Sequence, residues 1–262
     1  MPDPTPDPTP IERIRGCSPD RFRERYLAAS RPVILTDWLR DWPALAQWSL
    51  DSLAARFGSA RVLLGRTRGD RLDVSPEAGV AQAETTFGEF LAGLREGRRD
   101  RYLISPVEER IPQLLADIRA PEPWRRARYR SSRLWLGPAG VVTPLHHDLP
   151  ENLYAQVFGR KRILLIARGE RRNVYPYRRL SAAPNFSPVD AWQPDLARFP
   201  RFARVRPLDC VVEPGECLYI PRLWWHQVES LDVSASLNLW FANGTAALLA
   251  ALSQRYARWR GL

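Results

Sequence analysis

The feature that most constrains the fold is a series of short β-type segments in the second half of the chain. They are rich in branched and aromatic residues, and glycine or proline separates them, which is typical of strands joined by turns. The predicted strands are residues 134–136, 141–146, 153–158, 161–166, 210–213, 217–220, 225–228 and 234–241. Eight such strands favour a double-sheet jelly roll. Between two of them, Pro214-Gly215 predicts a type II turn, in which glycine adopts a positive φ.

The rest of the chain is predicted to support this core. Residues 11–130 combine helix signals with a few short strands, so we expect a helical apron that packs on the barrel. Residues 131–244 would form the jelly roll, and their insert at 168–208 is too long for a plain connection and is a candidate for substrate specificity. Residues 245–262 predict a C-terminal helix, and the Pro-rich residues 1–10 a disordered tail.

The scarcest polar residues are concentrated in one predicted strand. The chain has three histidines, and two of them, His146 and His147, stand between Thr143 and Asp148. In a strand, His146 and Asp148 project from one face and His147 from the other, unless a local bulge changes the parity. If His226 reaches the same point, two imidazoles and a carboxylate form the facial triad of non-haem Fe(II) sites. The alternative is that these histidines are packed core residues.

Lysine is scarcer still. The chain has 39 basic residues, and the single lysine is Lys161. Because arginine serves wherever a general positive charge is needed, a lone lysine indicates a site that requires a compact ammonium group. The alternative is an exposed lysine on an edge strand.

Several spaced segments, taken in order, resemble one known family. They are Gly137 to Asp148, Asn152 to Lys161, and Glu213 to Pro221 followed by Trp224-Trp225-His226. This set is similar to the cupin-like JmjC family of Fe(II)- and 2-oxoglutarate-dependent oxygenases, especially its asparaginyl- and arginyl-hydroxylase branches. The likeness runs from about Arg31 to Phe241.

The resemblance implies a mainly β, double-stranded β-helix core and a set of site residues. It implies Fe(II), 2-oxoglutarate as co-substrate, and O2. The implied metal ligands are His146, Asp148 and His226. The implied co-substrate contacts are Lys161, Thr143, Asn152, Asn238 and Tyr102. Trp135 and Trp240 are expected as pocket walls, and no catalytic side chain is expected beyond the metal centre.

The function implied by the resemblance is hydroxylation of an amino-acid side chain in a protein or peptide, with 2-oxoglutarate decarboxylated to succinate. Two alternatives stay open: hydroxylation of a modified tRNA base or a small molecule, and a metal-binding cupin without enzymatic activity. The net charge of +10 permits an RNA partner, although an arginine-coated surface is the simpler explanation.

Location and assembly are constrained more weakly. No apolar stretch is long enough to span a membrane, no secretion signal is recognisable, and three cysteines without metal-ligand spacing fit free thiols in a reducing compartment. We therefore expect a cytoplasmic protein. The helix after Thr245 places Leu248, Leu249, Leu252, Tyr256 and Trp259 on one face, which makes a homodimer through this helix a hypothesis.

Overall fold

The computed structural model of the protein describes residues 9–259, with side chains from residue 10 to residue 253. Eight strands in its second half form the core. Their labels follow chain order among the seventeen strands of the described residues. These eight are β10 (Tyr129–Gly137), β11 (Val142–His147), β12 (Glu151–Phe158), β13 (Lys161–Ile166), β14 (Leu208–Val212), β15 (Cys217–Ile220), β16 (Trp225–Ser230) and β17 (Ser234–Ala242).

The pairing of these strands defines a jelly roll. One sheet has the order β10-β17-β12-β15 and the other has the order β11-β16-β13-β14. All of these pairs are antiparallel, and most successive strands alternate between the two sheets. The predicted mainly β, jelly-roll fold class is therefore confirmed. The turn at Pro214-Gly215 also forms, with Gly215 at φ +88° and the Glu216 amide donating to the Glu213 carbonyl at 3.0 Å.

The N-terminal strands extend both sheets. They are β1 (Thr9–Pro10), β2 (Arg13–Ile14), β3 (Val33–Leu35), β4 (Arg61–Arg68), β5 (Arg71–Leu72), β6 (Val74–Ser75), β7 (Gly79–Val80), β8 (Gln82–Thr86) and β9 (Arg101–Pro106). In the first sheet, β3 pairs with β15, and β9 pairs with β10. The β4–β5 hairpin connects this sheet to β11 of the second one. The short strands from β5 to β8 were not predicted.

Seven α-helices accompany the sheets within residues 9–259. They are α1 (Pro19–Phe22), α2 (Pro43–Gln47), α3 (Leu50–Phe57), α4 (Phe87–Arg95), α5 (Val107–Arg110), α6 (Glu122–Arg125) and α7 (Gly244–Trp259). A π-helical turn, Arg23–Leu27, continues α1, and 3-10 turns occupy Pro112–Asp117, Arg168–Arg172 and Pro200–Arg204. Ser49 and Thr86 cap α3 and α4 through capping boxes, because each side chain accepts from the third helical amide.

The helical apron determines which side of the first sheet faces inward. Phe22, Leu53 and Phe87 of the apron belong to one buried cluster with outward-facing residues of β12 and β17, such as Leu153 and Leu239. Alternation along a strand then turns the neighbouring residues into the barrel. These inward residues are polar: Asn152 on β12, and Ser236 and Asn238 on β17. A polar lining inside a closed barrel is what a binding site requires.

The insert between β13 and β14 packs against the outer face of the second sheet. Val174, Val189 and Phe202 of the insert share a buried cluster with Leu145 of β11 and Trp225 of β16. The insert is irregular apart from its two 3-10 turns, yet its apolar side chains hold it against the strands that carry the histidines.

Both ends of the chain are described only in part. Most of the expected disordered tail lies outside the described residues, and its last two residues, Thr9–Pro10, pair in parallel with β14. The C-terminal helix α7 buries Ala247 and Ala250 and exposes Leu248, Leu249 and Leu252. The side chains of the other two residues of the predicted helix face lie beyond those described. Within the described chain, no helix is long and apolar enough to cross a membrane.

Candidate metal and co-substrate site

The strand pairing of β11 with β16 brings the candidate metal ligands together. His146 lies directly opposite His226, after a register shift that falls between Thr143 and His146. Asp148 follows β11 immediately, and one ligand atom from each of these three residues lies within 4.8 Å of the others. Pro144, at the shift, cannot donate to the ladder, which gives a physical reason for the irregularity at this point.

Backbone carbonyls orient both imidazoles. Nδ1 of His146 lies 2.8 Å from the Pro144 carbonyl oxygen, and Nδ1 of His226 lies 3.1 Å from that of Trp224. Since a carbonyl oxygen only accepts, Nδ1 carries the hydrogen and the lone pair is left on Nε2. Burial lowers the pKa of His146 to about 4 and also lowers that of His226, so both rings are neutral near pH 7. Neutral imidazoles with a free Nε2 are the form that binds metal.

Two side chains from the first sheet hold the Asp148 carboxylate. Its Oδ2 accepts from Nε1 of Trp240 at 2.8 Å and from Nδ2 of Asn152 at 3.3 Å. The same oxygen lies 3.7 Å from Nε2 of His226. Trp240 was expected only as a pocket wall, and its indole N–H in addition fixes a candidate ligand. Because β17 and β12 supply these donors, Asp148 is fixed across the two sheets.

Lys161 lies inside the barrel and is not an edge-strand surface residue. It is 1% exposed, and its ammonium group donates to the Tyr102 hydroxyl at 2.7 Å and to the Ser236 hydroxyl at 2.9 Å. Both partners are neutral, and no ion pair to Lys161 occurs among the described residues. Burial lowers the pKa of Lys161 to about 7. A buried cation whose partners are neutral is well suited to receive an anion.

The remaining predicted contacts line the same interior. Thr143, Asn152, Asn238 and Tyr102 are all buried. The Oδ1 atoms of Asn152 and Asn238 are buried without a hydrogen-bond partner in the described part of the chain. Trp135 is half-buried beside Tyr102, with the two rings 5.9 Å apart and tilted by 48°. An unpartnered buried amide oxygen is costly in a finished core, so these groups fit a lining that contacts a ligand.

These observations test whether the residues suit iron and 2-oxoglutarate. Two imidazole nitrogens and one carboxylate oxygen form the donor set that non-haem Fe(II) accepts. A buried ammonium with two hydroxyls beside it suits the far carboxylate of 2-oxoglutarate, since a buried carboxylate needs a cationic partner. The residues therefore fit both groups.

His147 lies outside this donor set. Its ring packs edge-on against Trp225 at 4.6 Å and 85°, and its Nδ1 is buried without a protein partner among the described residues. The register shift ends before His146, so it does not reverse which of the two neighbouring histidines joins the donor set.

Several site residues were not predicted. Ser236 contacts Lys161 directly, and the Tyr154 ring lies 5.8 Å from the Lys161 ammonium. Strand alternation could have predicted Tyr154, because it lies two residues after Asn152 and therefore shares its face. The Arg133 guanidinium lies over the Trp240 ring, 5.4 Å from its centroid. Arg133 is the residue opposite Asn238 in the pairing of β10 with β17. No sequence pattern distinguishes Arg133 from the other arginines.

The insert also contributes an unexpected residue. Phe186 stacks on His146 with ring centroids 5.0 Å apart and forms a backbone bridge to it. Asn185 accepts from the His147 amide and donates back to its carbonyl, both at 3.0 Å. The insert thus forms one wall of the site.

A sequence profile of the cupin-like domain matches residues 19–246. The chain is 32% identical over 241 residues to lysine-specific demethylase 8 of Xenopus tropicalis, covering 89% of this chain and 53% of that protein. It is 34% identical over 244 residues to lysine-specific demethylase JMJ30 of Arabidopsis thaliana, covering 89% of this chain and 55% of that protein.

A relative of more similar length is the human bifunctional peptidase and (3S)-lysyl hydroxylase JMJD7. It is 30% identical over 263 residues, covering 86% of this chain and 81% of that protein. The chain spans little more than half the length of the two demethylases, so their activities belong to longer proteins. The fold, the donor set and these similarities together show that the chain belongs to the cupin-like JmjC family of Fe(II)- and 2-oxoglutarate-dependent oxygenases.

Proposed function

We propose that the protein is an Fe(II)- and 2-oxoglutarate-dependent hydroxylase of an amino-acid side chain in a protein or peptide. The observation that carries this proposal is that a candidate metal triad and a buried lysine lie inside one jelly roll. The cluster of His146, Asp148 and His226 shares the barrel interior with Lys161, a buried cation whose hydrogen-bond partners are neutral.

Each side chain has a role that follows from its surroundings. The triad would hold Fe(II) through two Nε2 atoms and the Asp148 carboxylate. Lys161, with the hydroxyls of Tyr102 and Ser236 beside it, would bind the far carboxylate of 2-oxoglutarate. When bound, iron with 2-oxoglutarate and O2 supplies the oxidant that hydroxylates a C–H bond, while 2-oxoglutarate is decarboxylated to succinate and CO2.

The other residues orient the reactants and exclude water. Asn152, whose amide donates to the Asp148 carboxylate, and Asn238, whose buried amide oxygen has no partner among the described residues, would orient the metal-bound end of the co-substrate. Thr143, buried on β11, would donate a further hydrogen bond to the co-substrate. Trp135 and Trp240 would form apolar walls, which reduce water access and strengthen each electrostatic contact in the site. No side chain needs to move a proton, because the neutral imidazoles serve only as ligands.

The substrate class is proposed from the relatives and not from the barrel itself. The human relative, named as a (3S)-lysyl hydroxylase, supports a side-chain substrate most strongly, since the chain covers 81% of it. The two demethylases are also named for action on lysine. A protein or peptide substrate is therefore favoured over a tRNA base or a small molecule.

The proposal is tested by turnover. The protein would be incubated with Fe(II), ascorbate, 2-oxoglutarate and a peptide library, and succinate would be measured with the mass gain of one oxygen atom on peptide. His226→Ala is the matched control, because it removes one ligand and leaves Lys161 in place. Succinate and hydroxylated peptide that both depend on His226 would support the proposal. Metal binding without 2-oxoglutarate turnover would instead indicate a non-enzymatic cupin.

A further inference from the structure

The insert contains an open, arginine-lined cleft that the proposed chemistry does not use. Its volume is about 490 Å³. Its polar lining residues are Arg171, Arg172, Arg178, Arg201, Tyr175 and Tyr177. No acidic residue lines it, so the cleft presents one sign of charge.

The positive charge in this cleft is not neutralised by the insert. None of its four arginines forms an ion pair with a carboxylate of residues 10–253. Neighbouring arginines behave differently, since Arg162 pairs with Asp209 at 2.6 Å and Arg71 with Asp190 at 2.6 Å. Residues 168–207 contain nine arginines and three acidic residues, so the insert carries six of the ten net positive charges of the chain. The basic character of the protein is thus concentrated in one segment.

The cleft is built on a fixed scaffold. Phe199, which lines the cleft, and Val174, which precedes Tyr175 of the lining, are buried in the cluster that anchors the insert to β11 and β16. Tyr175 adopts φ +51°, an uncommon conformation for a residue with a side chain, and its hydroxyl accepts from the Arg201 amide at 2.8 Å. Backbone outliers of this kind persist where the surrounding structure holds them, and they are concentrated at binding and active sites.

The cleft also adjoins the metal site. The amide of Tyr177, in the cleft lining, donates to the Phe186 carbonyl at 2.9 Å. The Phe186 ring in turn stacks on His146. Phe186 therefore contacts both the cleft lining and a candidate metal ligand.

The aromatic residues around the cleft bear on whether it suits RNA or an acidic peptide. Sequence-tolerant RNA binding uses exposed aromatic faces for base stacking. Here the Arg201 guanidinium lies over the Tyr175 ring at 4.3 Å, and the Arg198 guanidinium lies over the Phe199 ring at 5.0 Å. These guanidinium groups cover one face of each ring. Both arginines are exposed, and a guanidinium can donate two parallel hydrogen bonds to one carboxylate.

We propose that this cleft binds an acidic segment of the protein substrate and so places a neighbouring residue of that substrate at the metal centre. The inference rests on the proposed function for the identity of the bound chain as substrate. Binding itself needs only the arginines, whose positive charge attracts an acidic segment to the cleft.

The test is a binding measurement on the full chain without iron or 2-oxoglutarate. Fluorescence anisotropy would follow a labelled peptide of alternating glutamate and serine, the same peptide with glutamine in place of glutamate, and an oligouridylate of equal length. The cleft variant is Arg172→Gln/Arg178→Gln/Arg201→Gln. The matched control is Arg15→Gln/Arg21→Gln/Arg25→Gln, which removes the same charge from exposed arginines outside the insert.

The acidic peptide should bind the wild-type protein more tightly than the glutamine peptide or the oligouridylate, and more weakly as salt rises. The cleft variant should lose about tenfold in affinity, equivalent to about 1.4 kcal/mol, while the control variant stays within about twofold. Equal losses in both variants, equal binding of the glutamine peptide, or tighter cleft-dependent binding of the oligouridylate would overturn the proposal. A circular dichroism spectrum matching the wild type shows that the cleft variant is folded. Because turnover is measured separately with His226→Ala as control, failure of docking and failure of the oxygenase proposal give different results.

Discussion

Replacing Lys161 with methionine removes the cation inside the barrel and keeps a side chain of similar length. In the wild-type protein, this ammonium group donates to the hydroxyls of Tyr102 and Ser236, and no carboxylate pairs with it among the described residues. The change removes two hydrogen bonds, each worth about 1 kcal/mol, and it also removes the cost of burying a charge. These effects oppose each other, so we expect Lys161→Met to fold.

The effect on 2-oxoglutarate should be much larger. Without Lys161, the far carboxylate of the co-substrate would be buried without a cation, and an unpaired buried charge costs about 3–5 kcal/mol. At about 1.4 kcal/mol for each factor of ten, the dissociation constant should rise on the order of 100- to 1,000-fold. Affinity for Fe(II) should not change, because Lys161 contacts no candidate ligand.

The pH dependence gives a second, independent test. Burial lowers the pKa of Lys161 from 10.5 to about 7, so between these values the unfolded chain holds a proton that the folded protein lacks. The free energy of unfolding should therefore rise with pH from about 7 to 10.5, by on the order of 4–5 kcal/mol at 1.36 kcal/mol per unit. The bound carboxylate favours the ammonium form, so binding takes up a proton above pH 7 and affinity falls as pH rises.

Isothermal titration calorimetry with Mn(II) in place of Fe(II) would measure the affinity for 2-oxoglutarate and the proton uptake, and urea unfolding at several pH values would measure the free energy of unfolding. Titrations in buffers of different ionisation enthalpy report the proton uptake, which should be present in the wild-type protein and absent from Lys161→Met. If the variant bound 2-oxoglutarate within about threefold of the wild type, well short of the tenfold that 1.4 kcal/mol represents, the assignment of Lys161 to the co-substrate would be refuted.

Three further predictions address the ligands and the assembly. His146→Ala should abolish Fe(II) binding whereas His147→Ala retains it, as measured by competition with a chromophoric chelator; the reverse pattern would show that the strand parity is wrong. Trp240→Phe keeps an apolar wall but removes the donor to the candidate carboxylate ligand, so Fe(II) affinity should fall about tenfold, and unchanged affinity would show that Trp240 is only a wall. If α7 mediates a homodimer, Leu249→Glu should shift the mass measured by light scattering from dimer to monomer, and a wild-type monomer would exclude this assembly.

Much of the fold follows from local sequence signals. Strands β11 to β17 lie within two residues of the predicted segments, because glycine and proline mark their ends and branched residues fill their middles, whereas β10 begins five residues before its predicted segment. Helices α3 and α4 also follow from local signals, since Gly58 comes directly after α3 and Thr86 caps α4. Strands β5 to β8 were missed, since they are two to five residues long and carry no strong alternation.

The candidate site follows from the sequence in part. Alternation places Asn238 and Ser236 on one inner face, and residue scarcity singles out Lys161. The hydrogen bond from Trp240 to Asp148 could not be predicted, because it joins strands of different sheets and depends on how closely they approach. The contact of Phe186 with His146 has the same origin, since the irregular insert carries no periodic signal. Long-range packing of this kind is set by the whole fold and not by a local pattern.

The most direct test of the central claim is anaerobic addition of Fe(II) and 2-oxoglutarate to the purified protein. We expect the visible charge-transfer band of an iron-bound 2-oxo acid, absent in His226→Ala and recovered only at much higher 2-oxoglutarate in Lys161→Met. A band that persists in His226→Ala, or no band in well-folded wild-type protein, would contradict the assignment of this barrel as an Fe(II)- and 2-oxoglutarate-binding site.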